Sequence, residues 1–285
     1  MKKILITGFN GLIGSSLIKE LRKDSNYEII GIGRSKSELI STIKIDLSTD
    51  WKIEKLPTKA DIIIHLAQSE HFRNFPDKAK DIFYTNTIST SKLADYAVKV
   101  GVKKFIYASS GGIYGNRDKA FEESDNSPVN NLGFYLGSKL CSEIILDNYK
   151  TLLNVQLLRF FFVYGKKQNQ SMLIPRLINK IKNGETIQLD GSNGLKINPV
   201  YVDDAVAAIM ASINVEESNH YNIAGSEVYS LKEICEIIGN VVSKRPVFEF
   251  KTNNAANLIA DITKMEKKLI TPKFNFREGI KKMLE

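Results

Sequence analysis

Ile4-Leu5-Ile6 runs almost directly into Gly8-Phe9-Asn10-Gly11-Leu12-Ile13-Gly14. After that loop, Leu12, Ile13, Leu17, Ile18 and Leu21 recur at helical spacing. A short apolar strand, a G-x-x-G-x-x-G loop and an amphipathic helix leave few choices for the fold. The first glycine permits a tight turn, the second lets backbone approach an anion, and the third lets helix and strand pack closely. The helix start then offers free N–H groups and a partial positive charge. In this context the loop reads as a pyrophosphate cradle rather than a plain turn. Gly8, Asn10, Gly11, Leu12, Ile13 and Gly14 are its candidate residues.

The same alternation continues along the first half. Strands are expected at Glu28 to Ile32, Asp61 to Leu66, Lys104 to Ala108 and Val155 to Phe162. Helices are expected from about Thr87 to Lys99, closed by Gly101, and from about Tyr135 to Tyr149. The continuous apolar run Ile62-Ile63-Ile64 indicates burial on both faces. The expected fold class is α/β: a doubly wound parallel Rossmann sheet with a smaller C-terminal α/β lobe. At 285 residues and 43% hydrophobic content, the chain can fill a large core. The expected division puts 1–165, with 199–225 returning, in the dinucleotide-binding domain and 166–198 with 226–285 in a substrate-binding lobe.

Charge and cysteine content exclude several classes. The net charge is +8, but lysines are scattered in ones and twos without interleaved aromatics, which argues against nucleic acid. No apolar run approaches a membrane span, and Ile4 to Ile6 is too short for a signal-peptide core. The expectation is a soluble cytoplasmic protein. Cys141 and Cys235 lie too far apart for a disulfide framework or a metal-ligand spacing, so no metal is expected.

Cofactor choice should be written just after the second strand, where NAD-binding chains carry a carboxylate for the ribose. Here Gly33 is followed by Arg34. A guanidinium suits a 2′-phosphate, so NADP is preferred, with NAD the alternative. Two further patterns carry reaction chemistry. Tyr135-Leu136-Gly137-Ser138-Lys139 sets a phenol and an ammonium on one helical face. The neighbouring Lys139 cation, together with an oxidised nicotinamide, is expected to favour the phenolate and make Tyr135 a usable proton donor and acceptor. Ser109-Ser110-Gly111-Gly112-Ile113-Tyr114-Gly115 follows a strand, and a hydroxyl at a strand's carboxyl end faces the ligand crevice of such a sheet. Of the isolated residues, Asp203-Asp204 reads as a helix N-cap pair.

Taken together, these segments resemble the extended short-chain dehydrogenase/reductases, the NAD-dependent epimerase/dehydratase family of nucleotide-sugar enzymes. The likeness runs nearly end to end. Thr7 to Gly14 resembles the family's dinucleotide loop. Asp46-Leu47 is similar to its Asp-apolar pair beside adenine, His65-Leu66-Ala67 to its H-x-A stretch, and Asn86 to the Asn after its fourth strand. Val163-Tyr164-Gly165, Tyr201-Val202-Asp203-Asp204 and Tyr221-Asn222-Ile223 resemble its later signatures. The resemblance implies a catalytic set of Ser110, Tyr135 and Lys139, with Asp46, Leu47, Leu66, Ala67 and Asn86 on the cofactor beside Tyr135 and Lys139. It also implies substrate contacts by Ser110, Tyr135 and the residues standing at 162 and 196, a nucleotide-sugar substrate, and a homodimer.

Departures from the family narrow the reaction. Its 4,6-dehydratases carry Asp-Glu after the catalytic hydroxyl, where this chain has Gly111-Gly112. Its 3,5-epimerising reductases use a Cys in that loop and a His after the later Gly; here Gly112, Lys166 and Lys167 stand instead. Phe162 replaces a common Asn, and Lys196 stands near a common Arg. What remains is hydride chemistry at C4, leaning to a nucleotide-sugar 4-ketoreductase, with a 4-epimerase as alternative. From another class, a non-catalytic dinucleotide-sensing or RNA-binding relative would share the fold.

Overall fold

A computed structural model describes all residues except 129 and 254. In chain order it contains β1 (Lys2–Thr7), α1 (Leu12–Leu21), β2 (Tyr27–Gly33), β3 (Ser41–Lys44), β4 (Ile62–His65), α2 (Ala79–Phe83), α3 (Ser89–Val100), β5 (Lys104–Ser110), α4 (Gly133–Asn148) and β6 (Asn154–Phe160). There follow α5 (Leu173–Asn183), β7 (Thr186–Asp190), β8 (Lys196–Ile197), α6 (Val202–Ser212), β9 (Asn219–Ile223), β10 (Tyr229–Ser230), α7 (Leu231–Val242), β11 (Val247–Lys251), α8 (Thr263–Lys268) and α9 (Phe276–Leu284).

The main sheet has seven strands in the order β3-β2-β1-β4-β5-β6-β9. Strand β1 pairs in parallel with β2 on one side and β4 on the other. The strand order therefore reverses between β1 and β4, and the crevice at that switch point is where such sheets take ligands. All four residues of β4 are buried, as its apolar run predicts. Gly101, at φ 74°, ends α3 in the left-handed region that a glycine enters freely. The doubly wound α/β expectation holds.

The chain divides into two compact units. The first comprises 1–113, 127–159 and 209–221; the second comprises 114–126, 160–208 and 222–285. Relative to the division expected from sequence, 114–126, 160–165, 199–208 and 222–225 group with the second unit.

The core of the first unit joins Leu5, Ile32, Ile63, Leu93, Phe105 and Leu157, contributed by β1, β2, β4, α3, β5 and β6. Between α2 and α3, Tyr84–Ile88 widens into a π-helical turn. Such turns cluster at functional positions, and this one carries Asn86.

In the second unit, β7 and β11 pair in parallel and β8 pairs antiparallel with β10. Helix α7 starts with a reciprocal cap: Glu233 N–H donates to Ser230 Oγ at 3.3 Å, and Ser230 N–H donates to Glu233 Oε2 at 2.7 Å. Asp203-Asp204 is not the expected N-cap pair. Both residues lie inside the first turn of α6, and the buried Asp204 accepts from Lys273 N–H at 2.9 Å and Phe274 N–H at 3.1 Å. That carboxylate anchors the segment leading into α9. Among the described residues, no helix is long and apolar enough to cross a membrane.

Candidate functional site

The glycine loop is built by close approach. Gly8 sits at φ 66°, and a Cβ there would lie 2.7 Å from the backbone of Leu66 and of Ala67. A Cβ on Gly14 would lie 2.3 Å from Gly8 O. These two glycines let β1, α1 and the Leu66-Ala67 stretch meet. Gly11 differs: a Cβ there would meet only Gly8 O, at 3.2 Å. It caps α1 without a side-chain bond, and the first turn carries no acidic residue. The amides of Leu12, Ile13 and Gly14 thus begin a helix whose positive end is unneutralised. This open, donor-lined cradle fits a dinucleotide pyrophosphate. The exposed Asn10 lies beside it.

A buried hydrogen-bond chain locks the surroundings. Ala67 N–H donates to Thr7 Oγ1 at 3.1 Å. Thr90 Oγ1 donates to Asn86 O, so its oxygen is left to accept from His65 Nε2 at 2.9 Å. His65 Nδ1 then accepts from Thr7 Oγ1 at 2.6 Å. This bookkeeping requires a neutral imidazole protonated at Nε2. Burial, with the Lys139 cation adding to it, pulls the His65 pKa down to about 3, which agrees. Asn86 ties in two more pieces. Its Oδ1 accepts from Ser69 N–H at 3.0 Å, and its Nδ2 donates to Ser138 Oγ on α4 at 2.9 Å.

The residues expected to form the reaction set lie on β5 and α4. Ser110 ends β5, and its Oγ accepts from Gly112 N–H at 3.2 Å. A Cβ on Gly112 would stand 2.8 Å from Leu136 and 3.4 Å from Ser110 Oγ. The glycine therefore lets the backbone after β5 approach the residue next to Tyr135. Tyr135 Oη donates to Gln68 Oε1 at 2.8 Å, and its ring packs against Phe72 at 5.3 Å. Lys139 is buried; its Nζ donates to Ala108 O at 2.8 Å and lies over the Tyr107 ring. One turn further along α4, the buried Glu143 pairs with Arg159.

The electrostatics differ from the sequence expectation at Tyr135. Burial pushes its phenol up, not down. The ammonium meant to lower it is directed to the Ala108 carbonyl, and burial draws the Lys139 pKa down to about 7 against the opposing pull of Glu143. Desolvation disfavours both charged forms, a cost that spacing does not reveal.

Arg34 follows β2 as expected, but its guanidinium has a partner: Nη1 donates to Glu70 Oε1 at 3.0 Å. Asp46, after β3, accepts from Ser48 N–H at 3.0 Å and Ser48 Oγ at 2.7 Å. Burial raises the Asp46 carboxyl, but the Ser48 bonds and Arg34 outweigh it and leave it low. Leu47 is buried, and its carbonyl accepts from Ser89 Oγ at 2.8 Å.

Two candidates belong to the second unit. Phe162 takes φ 45°, a strained value for an aromatic side chain, and packs on a cluster of Tyr114, Phe121, Phe161, Ala224 and Ala260. Lys196 lies on β8, exposed, and lines a cleft of about 380 Å³ with Asn193, Ser230, Lys232 and Glu233. In the first unit, sequence reasoning missed Gln68, Glu70 and Phe72. All three lie in the loop after β4, and their position beyond a buried strand's carboxyl end was the available signal.

The glycine cradle at the β1/β4 switch point makes this a Rossmann-type dinucleotide protein of the extended short-chain dehydrogenase/reductase kind. Residues 4–224 match the model of the NAD dependent epimerase/dehydratase family, and the chain belongs to that family. It is 30% identical to the GDP-6-deoxy-D-talose 4-dehydrogenase of Aggregatibacter actinomycetemcomitans, over 83% of this chain and 79% of that one. It is 26% identical to an uncharacterized UDP-glucose epimerase of Bacillus subtilis, over 98% and 95%. Among solved structures, MoeE5 in complex with UDP-glucuronic acid and NAD superposes with a TM-score of 0.83 at 26% identity, covering 99% of this chain and 97% of that one.

Proposed function

We propose that this protein is a UDP-hexose 4-epimerase that retains NAD in the glycine cradle. The observation that carries the reading is the pairing of a complete Ser110, Tyr135 and Lys139 set with glycines at 111 and 112. The set serves oxidation and reduction at one carbon, while two glycines offer no side chain for the further proton transfers of dehydration. The NAD-bound structure of MoeE5 with a UDP-sugar supports both cofactor and substrate class.

Bound in the cradle, NAD supplies reversible hydride acceptance and a positive charge that favours the Tyr135 phenolate. The amides at the start of α1 hold the pyrophosphate. Ser110 Oγ holds the reacting O4 oxygen near the phenol, which saves orientational entropy. Tyr135 Oη takes the O4 proton on oxidation and returns it on reduction. Gln68 Oε1 orients that phenol, and Lys139, fixed on the Ala108 carbonyl, holds its amine on the same helical face.

The 4-ketoreductase reading is favoured by the 30% identity to a 4-dehydrogenase. Its other support, an Arg34 free for a 2′-phosphate, is weakened by Glu70. The test is turnover of UDP-glucose, UDP-glucuronic acid and their N-acetyl counterparts with no nucleotide added. A 4-epimer of one of them is expected, and Tyr135→Phe is expected to lower kcat by about 10²–10⁴-fold with dinucleotide still bound. Turnover of 4-keto sugars only with added NADPH would overturn the epimerase; full activity in Tyr135→Phe would overturn the site.

A further inference from the structure

Arg34 alone reads as a 2′-phosphate binder, yet the fold brings it a fixed carboxylate. Glu70 Oε1 stands 3.0 Å from Arg34 Nη1. The backbone on either side of Glu70 is pinned. Ser69 N–H donates to Asn86 Oδ1 at 3.0 Å, Ser69 Oγ donates to Asp81, and His71 N–H donates to Ser69 Oγ at 3.1 Å. The loop that presents Glu70 is thus tied to the π-helical turn carrying Asn86, and Glu70 is delivered to the corner just beyond β2. That corner is where the adenosine ribose of a bound dinucleotide is read.

Arg34 is not a free cation there, and His71 Nε2 also lies 3.8 Å from Glu70 Oε1. One guanidinium faces Glu70 directly and feels Asp46 and Asp81 as well. The pairing lowers the Glu70 carboxyl, so it stays ionised at neutral pH. A ribose 2′-hydroxyl can donate to such a carboxylate at no electrostatic cost. A 2′-phosphate would bring close to two negative charges to a guanidinium already held by a carboxylate.

We infer that Glu70 is a specificity-determining residue that selects NAD over NADP by occupying Arg34 and repelling a 2′-phosphate. This rests on the dinucleotide reading above and deepens it. The NADP preference expected from Arg34 is thereby reversed, because the partner that decides it lies 36 residues away.

The exposed setting limits the size of the effect, since both side chains are more than half exposed and screened by solvent. At surface dielectric, removing one unit charge near a phosphate shifts binding by roughly tenfold. The experiment is calorimetric titration of NAD and NADP into nucleotide-stripped protein, for wild type, Glu70→Gln, Arg34→Gln and the double variant. Wild type should favour NAD. Glu70→Gln should raise the NADP-to-NAD affinity ratio by about tenfold, less at 0.5 M salt than at 0.05 M. The double variant should fall back near the wild-type ratio, because it loses the attracting guanidinium together with the repelling carboxylate. A wild type that prefers NADP, a ratio unchanged in Glu70→Gln, or a gain that persists without Arg34 overturns the inference while leaving dinucleotide binding intact. Failure of wild type to bind either nucleotide would instead overturn the functional reading, and this inference with it.

Discussion

Breaking the Glu143–Arg159 pair should cost far more than its single ion-pair count implies. Both side chains are nearly sealed, at 3% and 8% exposure. Arg159 Nε donates to Glu143 Oε1 at 3.1 Å and to Oε2 at 3.2 Å, and Nη2 donates to Oε2 at 2.7 Å. Glu143→Leu leaves the guanidinium buried without that carboxylate, a loss of about 3–5 kcal/mol. For a chain of this size that corresponds to a fall of roughly 6–20 °C in Tm. Glu143→Leu with Arg159→Met removes both charges and keeps volume, so stability should return to within about 1 kcal/mol of wild type. The assay is urea unfolding followed by the fluorescence of Trp51, the chain's single tryptophan, buried in the core of the first unit. A single variant costing under about 1 kcal/mol, or a double variant costing the sum of the singles, would refute the reasoning.

Three other outcomes follow from the same geometry. Gly8→Ala, strained at φ 66° and overlapping Leu66 and Ala67, should destabilise by about 1–3 kcal/mol, whereas Gly11→Ala should fold normally and lose dinucleotide affinity, as calorimetry would show. The Lys139 pKa is depressed on folding to about 7. The folded state therefore binds fewer protons than the unfolded one between about pH 7 and 10.5, and stability rises with pH across that window. Relative to wild type, Lys139→Met should be stabilising at pH 6 and lose that advantage by pH 10 in urea titrations of the apoprotein. Ser243→Gly should raise Tm, since Ser243 closes α7 at φ 55° where a glycine saves about 1 kcal/mol.

The parts of this site legible in the sequence are those that local backbone geometry demands. The glycine loop sits at a strand–helix junction, and its close approaches can be met only without side chains, so spacing alone located it. A strand end and one helical face placed Ser110, Tyr135 and Lys139 as candidates, and the family resemblance singled them out as a set. What the sequence hid depends on tertiary approach. The Arg34–Glu70 pair was hidden because Glu70 is delivered by a different loop. The upward push of burial on Tyr135 was hidden because spacing shows a neighbour but not burial. Strand β3 was missed because Ser41–Lys44 is a short edge strand without a buried residue, and Asp204 because its partners lie 69 and 70 residues on.

The most direct test of the proposed chemistry uses UDP-glucose carrying deuterium at C4, offered to the protein as purified with no nucleotide added. Chromatographic separation of the two epimers reads conversion, and mass spectrometry with proton NMR of the separated product reads the label. An epimerase that keeps its NAD predicts UDP-galactose with the deuterium still at C4. Loss of the label to solvent or to added nucleotide, or conversion that begins only when NADPH is supplied, would contradict it.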